Sequence, residues 1–294
     1  MPDTAPTGLQ ALSASLAGLV AAAAPAIVAV ASHRSRSSGF AWREDLVVTA
    51  DEALADEGEV TVMLPGGEQR RATIAGRDPS TDVALLRVEG GGLAPAPLHD
   101  APQLTGALAV AIGASEAGPI AALGIVGAAG PAWQSMRGGR IDARLELDLR
   151  LPRGAEGGLA LDAAGQAFGM AVLGPRRRVL VIPAATVERV AATLQRHGRV
   201  PRGYLGLRLQ SVRAEGDGTA GAMVMEVDPT GPGAAAGLRQ GDVITGWAGQ
   251  PVAGAQALLR AIGPDSVGQA FSVAAMRAGQ RVELTLTVGE RPAS

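Results

Sequence analysis

Apolar residues in this chain fall into short runs separated by turn residues, and the runs succeed one another at nearly even spacing. Between residues 26 and 183 they read AIVAVA, DLVVTA, EVTVML, RATIAG, DVALLRV, ALAVAIG, AALGIVGA, ARLELDL, GLALD, AFGMAVL and RVLVIP. Each has the length and branched-residue content of a strand, and even spacing with turn signals predicts antiparallel sheets closing into barrels. PGG at 65–67 and DAAG at 162–165 supply hairpin turns. The period then changes. TVERVAATLQRHG (186–198) has helical spacing, with Val187, Val190, Ala191 and Leu194 on one face, Gly198 as its C-cap and Pro201 beyond.

Strand patterning resumes after that helix, in YLGLRLQ, AMVMEV, DVITGW, FSVAAM and VELTLTV, with short helices expected over GAAAGL and AGAQALLRAI. The pattern divides the chain into an N-terminal helical segment (1–25), a barrel-type domain (26–199) and a smaller α+β domain (200–290). In the first segment, LAGLVAAAAPAIVAV (16–30) is apolar throughout but interrupted by Pro25. Fifteen residues are few for a membrane span, and only Asp3 precedes the run where a secretory signal carries basic residues. The expectation is a helix over 8–23 packed on the domain, a first strand from Ala26 to Ala31, and a cytoplasmic protein; removal of a leader would make it periplasmic.

Composition narrows the function classes. With 47% hydrophobic and 18% charged residues the 294-residue chain is a folded protein, and with 2% aromatics its core is built from Ala, Val, Leu and Ile. A net charge of −2 gives no electrostatic footprint for nucleic acid. The absence of cysteine excludes disulfides, thiol catalysis and thiolate metal sites.

One stretch raises a chemical question. In RGAEGGLAL (153–161) a glutamate stands inside a turn of glycine and alanine, where glycines let backbone N–H groups converge on one spot. Such a turn presents a nucleophile or grips an anion, and Glu156 suits neither task.

Several segments taken in order answer it. SSGFAWREDLVVTADEAL, VTVMLPGGEQRRATIAGRDPSTDVALLRVEG, LAVAIG, AALGIVGA, GAEGGLALDAAGQAFGM and VIPAATVERVAATLQRHGRVPRGYLGLRLQSV, followed by VDPTGPGAAAGLRQGDVITGWAGQPV, resemble the HtrA/DegP-like serine proteases. That resemblance implies a mainly β fold, a trypsin-like double six-stranded β-barrel followed by a PDZ domain (α+β). It also implies positions for the catalytic triad. Glu52 in VTADEAL stands at the family's histidine, Asp82 in DPSTDVALLRV matches its aspartate, and Glu156 in GAEGGL stands at its serine. A carboxylate of ordinary pKa is a poor base, and no alcohol occupies the nucleophile position.

The resemblance therefore implies a pseudoprotease. In the former oxyanion turn the amides of Gly154 and Glu156 favour an anion, so the expectation is that the glutamates point to solvent or that the Glu156 carboxylate fills that hole. The minor alternative is a hard cation held by Glu52, Asp82 and Glu156 together; otherwise no metal and no cofactor is expected. His33, His99 and His197 read as solvent-facing, and Ser37, Ser38 and Ser115 as turn or loop residues. The run Arg176–Arg178 reads as a solvated loop, with a seat for an acidic partner peptide as its alternative.

In the PDZ-like segment, YLGL (Tyr204, Leu205, Gly206, Leu207) matches the loop that holds a peptide's C-terminal carboxylate. Gln256, Leu259 and Ile262 are candidates for the opposite wall, although Leu207 and Leu259 could instead fill the core. The implied function is a peptide-binding scaffold or adaptor, with a chaperone-like role as a variant of it, whose partners are protein C-termini. Proteolysis by an unconventional route and a structural subunit docking a partner enzyme stay open as alternatives. The family commonly forms trimers with N-terminal aromatic contacts, yet residues 1–39 hold no Phe, Trp or Tyr.

Overall fold

The computed structural model describes residues 7–33, 35–55, 59–201, 203–213, 220–263 and 266–291. The chain divides into two units, Met1–Val200 and Pro201–Ser294.

Helix α1 (Gly8–Ala23) starts at Thr7, whose hydroxyl accepts from the Gln10 N–H while the Gln10 side chain accepts from Thr7 N–H. It occupies the expected residues but lies shallowly. None of its residues is buried, Leu9 is 81% exposed, and only Leu16, Val20 and Ala23 rest on the core. The helical stretch Gly8–Ala26 runs for 19 residues at mean hydropathy 1.5, longer than the apolar run read from the sequence, and by length and composition it could cross a membrane. Signal sequences share that property.

The first barrel comprises β1 (Ile27–Ser32), β2 (Ser35–Arg43), β3 (Leu46–Thr49), β4 (Val60–Met63), β5 (Gln69–Asp78) and β6 (Val83–Val88). Its order is β1-β2-β3-β6-β5-β4, with β4 closing on β1. The hydrophobic pattern did not reveal β2, because its first half, SRSS, is polar. Ser37 and Ser38 are therefore strand residues, 3% and 0% exposed, and not turn residues.

The second barrel comprises β7 (Leu108–Ser115), β8 (Gly118–Gly130), β11 (Arg144–Asp148), β12 (Leu159–Asp162), β13 (Ala167–Leu173) and β14 (Val179–Pro183), in the order β11-β14-β13-β12-β7-β8 and closed through β8 and β11. A small hairpin, β9 (Trp133–Gln134) with β10 (Arg140–Ile141), is inserted between β8 and β11. It too is absent from the hydrophobic pattern, since its loop is polar and glycine-rich. Helix α2 (Ala184–His197) buries Val187, Val190, Ala191 and Leu194 in a core shared by both barrels and ends at Gly198, whose φ is 69°. The two closed six-stranded antiparallel barrels are those of a trypsin-like fold.

The second unit is a mixed α/β domain of the PDZ type. It contains β15 (Gly203–Tyr204), β16 (Leu207–Arg213), β17 (Ala220–Val227), α3 (Pro232–Ala235), β18 (Val243–Trp247), β19 (Gln250–Pro251), α4 (Ala255–Ala261), β20 (Ala270–Arg277), β21 (Gln280–Thr287) and β22 (Gly289–Glu290). The main sheet runs β16-β17-β18-β20-β21, so β16 is an edge strand. The run YLGLRLQ is not one strand. It breaks at Leu205 and Gly206, where the φ of Gly206 is 67°. In GLRQGDVI the buried Asp242 carboxylate accepts from the Arg239 N–H at 2.8 Å and from the Arg277 guanidinium at 2.8 and 2.9 Å, fixing the turn before β18.

Candidate functional site

The three acidic positions of the barrel domain converge through the backbone first. Asp82 follows the turn Asp78–Thr81, which the buried Asp78 carboxylate organises by accepting from the Ser80 hydroxyl and the Thr81 hydroxyl, each at 2.6 Å. Asp82 itself is left-handed, with φ of 58°. Its Oδ1 accepts the Glu52 N–H at 2.7 Å, and its carbonyl accepts the Asp51 N–H at 3.3 Å. These bonds tie the segment after β3 to the loop before β6. Burial pushes Asp82 up to about 7; the bond from the Glu52 N–H opposes the shift, and the charges of Glu52, Glu156 and Asp51 add to it.

The glutamate side chains then diverge. Glu52 is exposed, and its Oε1 lies 3.1 Å from Arg137 Nη1 on the β9–β10 hairpin. The Glu156 carboxylate is half-buried and accepts the Leu173 N–H at 3.1 Å. Burial raises its pKa, the Leu173 bond opposes this, the charge of Glu52 raises it further, and Arg177 lowers it. The carboxylates thus sense one another's fields without sharing a ligand. No group of three acidic or histidine side chains among the described residues is placed to hold a metal ion. The candidate cation site formed by Glu52, Asp82 and Glu156 is not assembled, because Arg137 and the Leu173 amide draw the two glutamates apart.

The turn at Glu156 is built to close tolerances. Gly154 and Gly157 have φ of 83° and 85°, and a Cβ on Gly157 would lie 2.3 Å from the Ser38 carbonyl oxygen. The Ser38 N–H donates to the Glu156 carbonyl at 2.8 Å. No described residue accepts from the N–H of Gly154 or Glu156. The Glu156 carboxylate does not fill that hole. It turns to Leu173 instead, where a backbone donor is available without folding the side chain back on its own turn.

No imidazole reaches this cluster. His33 lies in the turn after β1, His99 in the connection between the barrels and His197 at the end of α2; all three are exposed, and none pairs with Glu52, Asp82 or Glu156.

In the second unit, the turn Tyr204–Leu207 is fixed through its carbonyls. The Leu205 carbonyl accepts the Gly233 N–H at 2.7 Å, the Gly206 carbonyl accepts the Asp228 N–H at 2.8 Å, and the Tyr204 hydroxyl donates to Asp228 at 2.9 Å. A Cβ on Gly206 would meet the Gly231 Cα at 2.9 Å. No described residue accepts from the N–H of Leu205 or Gly206. Helix α4 packs on β16 and β17, and the Ala255 N–H donates to Ser211 Oγ of β16 at 3.0 Å. Gln256 and Leu259 lie on the open face of α4, with Leu259 54% exposed. Leu205 and Ile262 belong to the core, with Leu207 packed partly against it. The expected wall thus loses Ile262 to the core, because the C-terminal end of α4 turns inward beside Gly203.

Comparison with known proteins agrees with this architecture. Residues 37–170 match the trypsin-like peptidase domain, and residues 203–288 match the PDZ domain. Together they define a trypsin-fold protease domain followed by a PDZ domain. A probable periplasmic serine endoprotease, DegP-like, of Pseudomonas putida is 31% identical over 274 residues, covering 88% of this chain and 57% of the relative. Its counterpart in Rhizobium meliloti is 30% identical over 275 residues, covering 88% and 54%. Among solved structures, the HtrA-type protease AlgW with decapeptide superposes at a TM-score of 0.74 with 27% identity, covering 95% of this chain and 99% of that one. A serine endoprotease from Yersinia pestis gives 0.73 with 26% identity, covering 93% and 97%. This chain is an HtrA/DegP-like member of the trypsin-fold serine protease family with a PDZ domain. It spans little more than half the length of these curated relatives.

Proposed function

We propose that this protein binds polypeptide C-termini through its PDZ domain as a scaffold or adaptor and does not hydrolyse them. The observation that carries the binding reading is the turn Tyr204–Leu207, held by its carbonyls at the head of an edge strand. β16 pairs only with β17 in the sheet, so its other edge is available for an added strand beside α4. The amides of Leu205 and Gly206 supply donors for a terminal carboxylate, and Leu207 and Leu259 supply apolar contacts for the last side chain. Structures of the related AlgW were solved with a decapeptide and a tripeptide, which supports the same use here.

Loss of hydrolysis is the second half of the proposal. Glu52, Asp82 and Glu156 provide three carboxylates and neither an imidazole nor an alcohol. Attack of a carboxylate on an amide would form an anhydride, uphill of the bond it breaks. In serine proteases, removing the nucleophile or the base costs about 10⁶ in kcat. The hairpin carrying Arg137 further occupies Glu52.

The curated relatives are named as periplasmic, and α1 offers the apolar length of an export or anchoring segment. We therefore assign the protein to the periplasm, in place of the cytoplasm suggested by the lack of basic residues before that run.

Two assays on the intact chain test the proposal. Peptides ending in an apolar residue should bind with a free C-terminal carboxylate and fail when amidated. Casein should survive long incubation with wild type and with Glu156→Ala alike. Equal binding of acid and amide would remove the C-terminal reading. Cleavage by wild type and not by the variant would restore a protease.

A further inference from the structure

We propose that the cleft between β9 and the turn Gly174–Arg178 is a docking site for an acidic peptide segment. The proposal concerns the barrel domain and stands independently of C-terminal capture by the PDZ domain.

The cleft has a volume of about 330 Å³. Its walls include the half-buried Trp133, the apolar Leu180 and three guanidinium groups, Arg144, Arg176 and Arg178, facing one carboxylate, Glu146. Glu146 is already shared: it lies 2.6 Å from Arg144 and 3.1 Å from Arg178. Each guanidinium carries five N–H donors, so both retain donors after meeting Glu146. Arg176 is exposed and has no ion pair among the described residues. Three cations against one anion give the cleft a positive balance, in a chain whose net charge is −2.

The backbone holds this arrangement at a cost. Arg176 and Arg177 both adopt φ of 58°, a left-handed region that disfavours non-glycine residues. Hydrogen bonds from the Gly174 N–H to the Arg178 carbonyl (2.8 Å) and from the Arg177 N–H to the Gly174 carbonyl (3.1 Å) close the turn. Arg176 and Arg178 line the cleft, whereas the charge of Arg177 reaches Glu156. Strain kept at a turn whose side chains divide in this way points to a use for the cleft.

The chemistry selects carboxylates. Planar guanidinium forks take carboxylate oxygens in pairs, and Glu146 shows that the spacing of Arg144 and Arg178 fits one. The Arg144 guanidinium lies 5.8 Å from the Trp133 ring centroid, leaving an apolar surface beside the cations for aliphatic stems. A single aromatic ring and an acidic chain are a poor match for single-stranded nucleic acid, which uses series of stacking rings in a basic channel.

The test uses the full chain and an N-acetylated, C-amidated octapeptide of alternating Glu and Ala, which offers no free terminus to the PDZ loop. Trp133 reports on the cleft directly, since Trp42 and Trp247 are 2% and 4% exposed. Saturable, salt-sensitive change in tryptophan emission is expected. Arg176→Gly should weaken binding by about fivefold or more, as for loss of one charge-assisted contact. Because glycine suits a positive φ, that variant should melt no lower than wild type, which separates lost binding from lost folding. Arg178→Gln should weaken binding likewise. No response to the Glu peptide, equal affinity for a Lys–Ala peptide, unchanged binding in Arg176→Gly, or tighter binding of an oligothymidylate of the same charge would each overturn the proposal.

Discussion

Ser38 Oγ donates to the Gly154 carbonyl at 2.5 Å and accepts the Ala114 N–H at 2.8 Å, so one buried hydroxyl joins the two barrels at the turn that carries Glu156. Ser38→Ala would leave a part-buried carbonyl and a part-buried N–H without this partner. We expect a loss of about 1–3 kcal/mol, read as a lower urea midpoint at unchanged m-value. An unchanged midpoint would show that the turn is held by Gly157 and its neighbours alone.

Asp82 sets the expected pH dependence. Its pKa of about 7 in the fold stands above the ordinary 3.8, so the folded protein keeps a proton that the unfolded chain releases. The associated stability is present in full below about pH 4 and is lost as pH rises through about 7, by at most about 4 kcal/mol in total. Unfolding at pH 5, 6, 7 and 8 should show stability falling across that window in wild type and much less in Asp82→Asn. Parallel pH profiles would refute the assignment.

Glu156 is expected to be dispensable as a charge and useful as an acceptor. Glu156→Gln keeps a carbonyl for the Leu173 N–H and removes the repulsion felt by Asp82. It should match or exceed wild-type stability at pH 8, whereas Glu156→Ala should fall below the Gln variant by about 1 kcal/mol. Adding Ca²⁺ should leave all three melting curves in place. A calcium-dependent rise in wild type alone would mean that the carboxylates can gather around an ion.

The pair of Arg137 and Glu52 is exposed on both sides, with side-chain exposures of 55% and 52%. Arg137→Ala should therefore change unfolding free energy by less than about 1 kcal/mol. A larger loss would show that the bond from the same guanidinium to the Pro79 carbonyl, at 3.2 Å, anchors the hairpin.

Gly206 separates folding from recognition in the PDZ domain. A methyl group there meets the Gly231 Cα at 2.9 Å and must adopt a φ of 67°. Gly206→Ala should abolish binding of peptides with a free C-terminus, measured by fluorescence anisotropy. Tyr204→Phe, which loses only the bond to Asp228, should retain it. Equal loss in both would indicate general unfolding of the turn.

Much of the fold was legible in the chain because burial imposes period. Eleven of the described barrel strands and α2 follow runs such as DVALLRV and TVERVAAT, where a short apolar stretch or one helical face must leave water. The family resemblance carried by the segments around Asp82 and Glu156 implied that three acids are neighbours, and the fold links Glu52 and Asp82 by a hydrogen bond. What the pattern missed has polar sequence: Ser37 and Ser38 in β2, and the hairpin that brings in Arg137. Their positions are dictated by hydrogen bonds to distant backbone, and a linear pattern of hydrophobicity carries no record of those partners.

The hydrophobic pattern thus carried the strands and α2, and the resemblance it supports implied the double barrel, the PDZ domain and the positions of Glu52, Asp82 and Glu156. Side-chain directions came from the folded chain alone. It sent Glu52 to Arg137 and Glu156 to Leu173, took Ile262 into the core while leaving Leu259 outside, and set Arg176 and Arg178 beside Trp133. The reason is physical. Periodicity reports whether a residue leaves water, whereas the direction of a charged side chain depends on which donors the folded chain brings within about 3 Å of it.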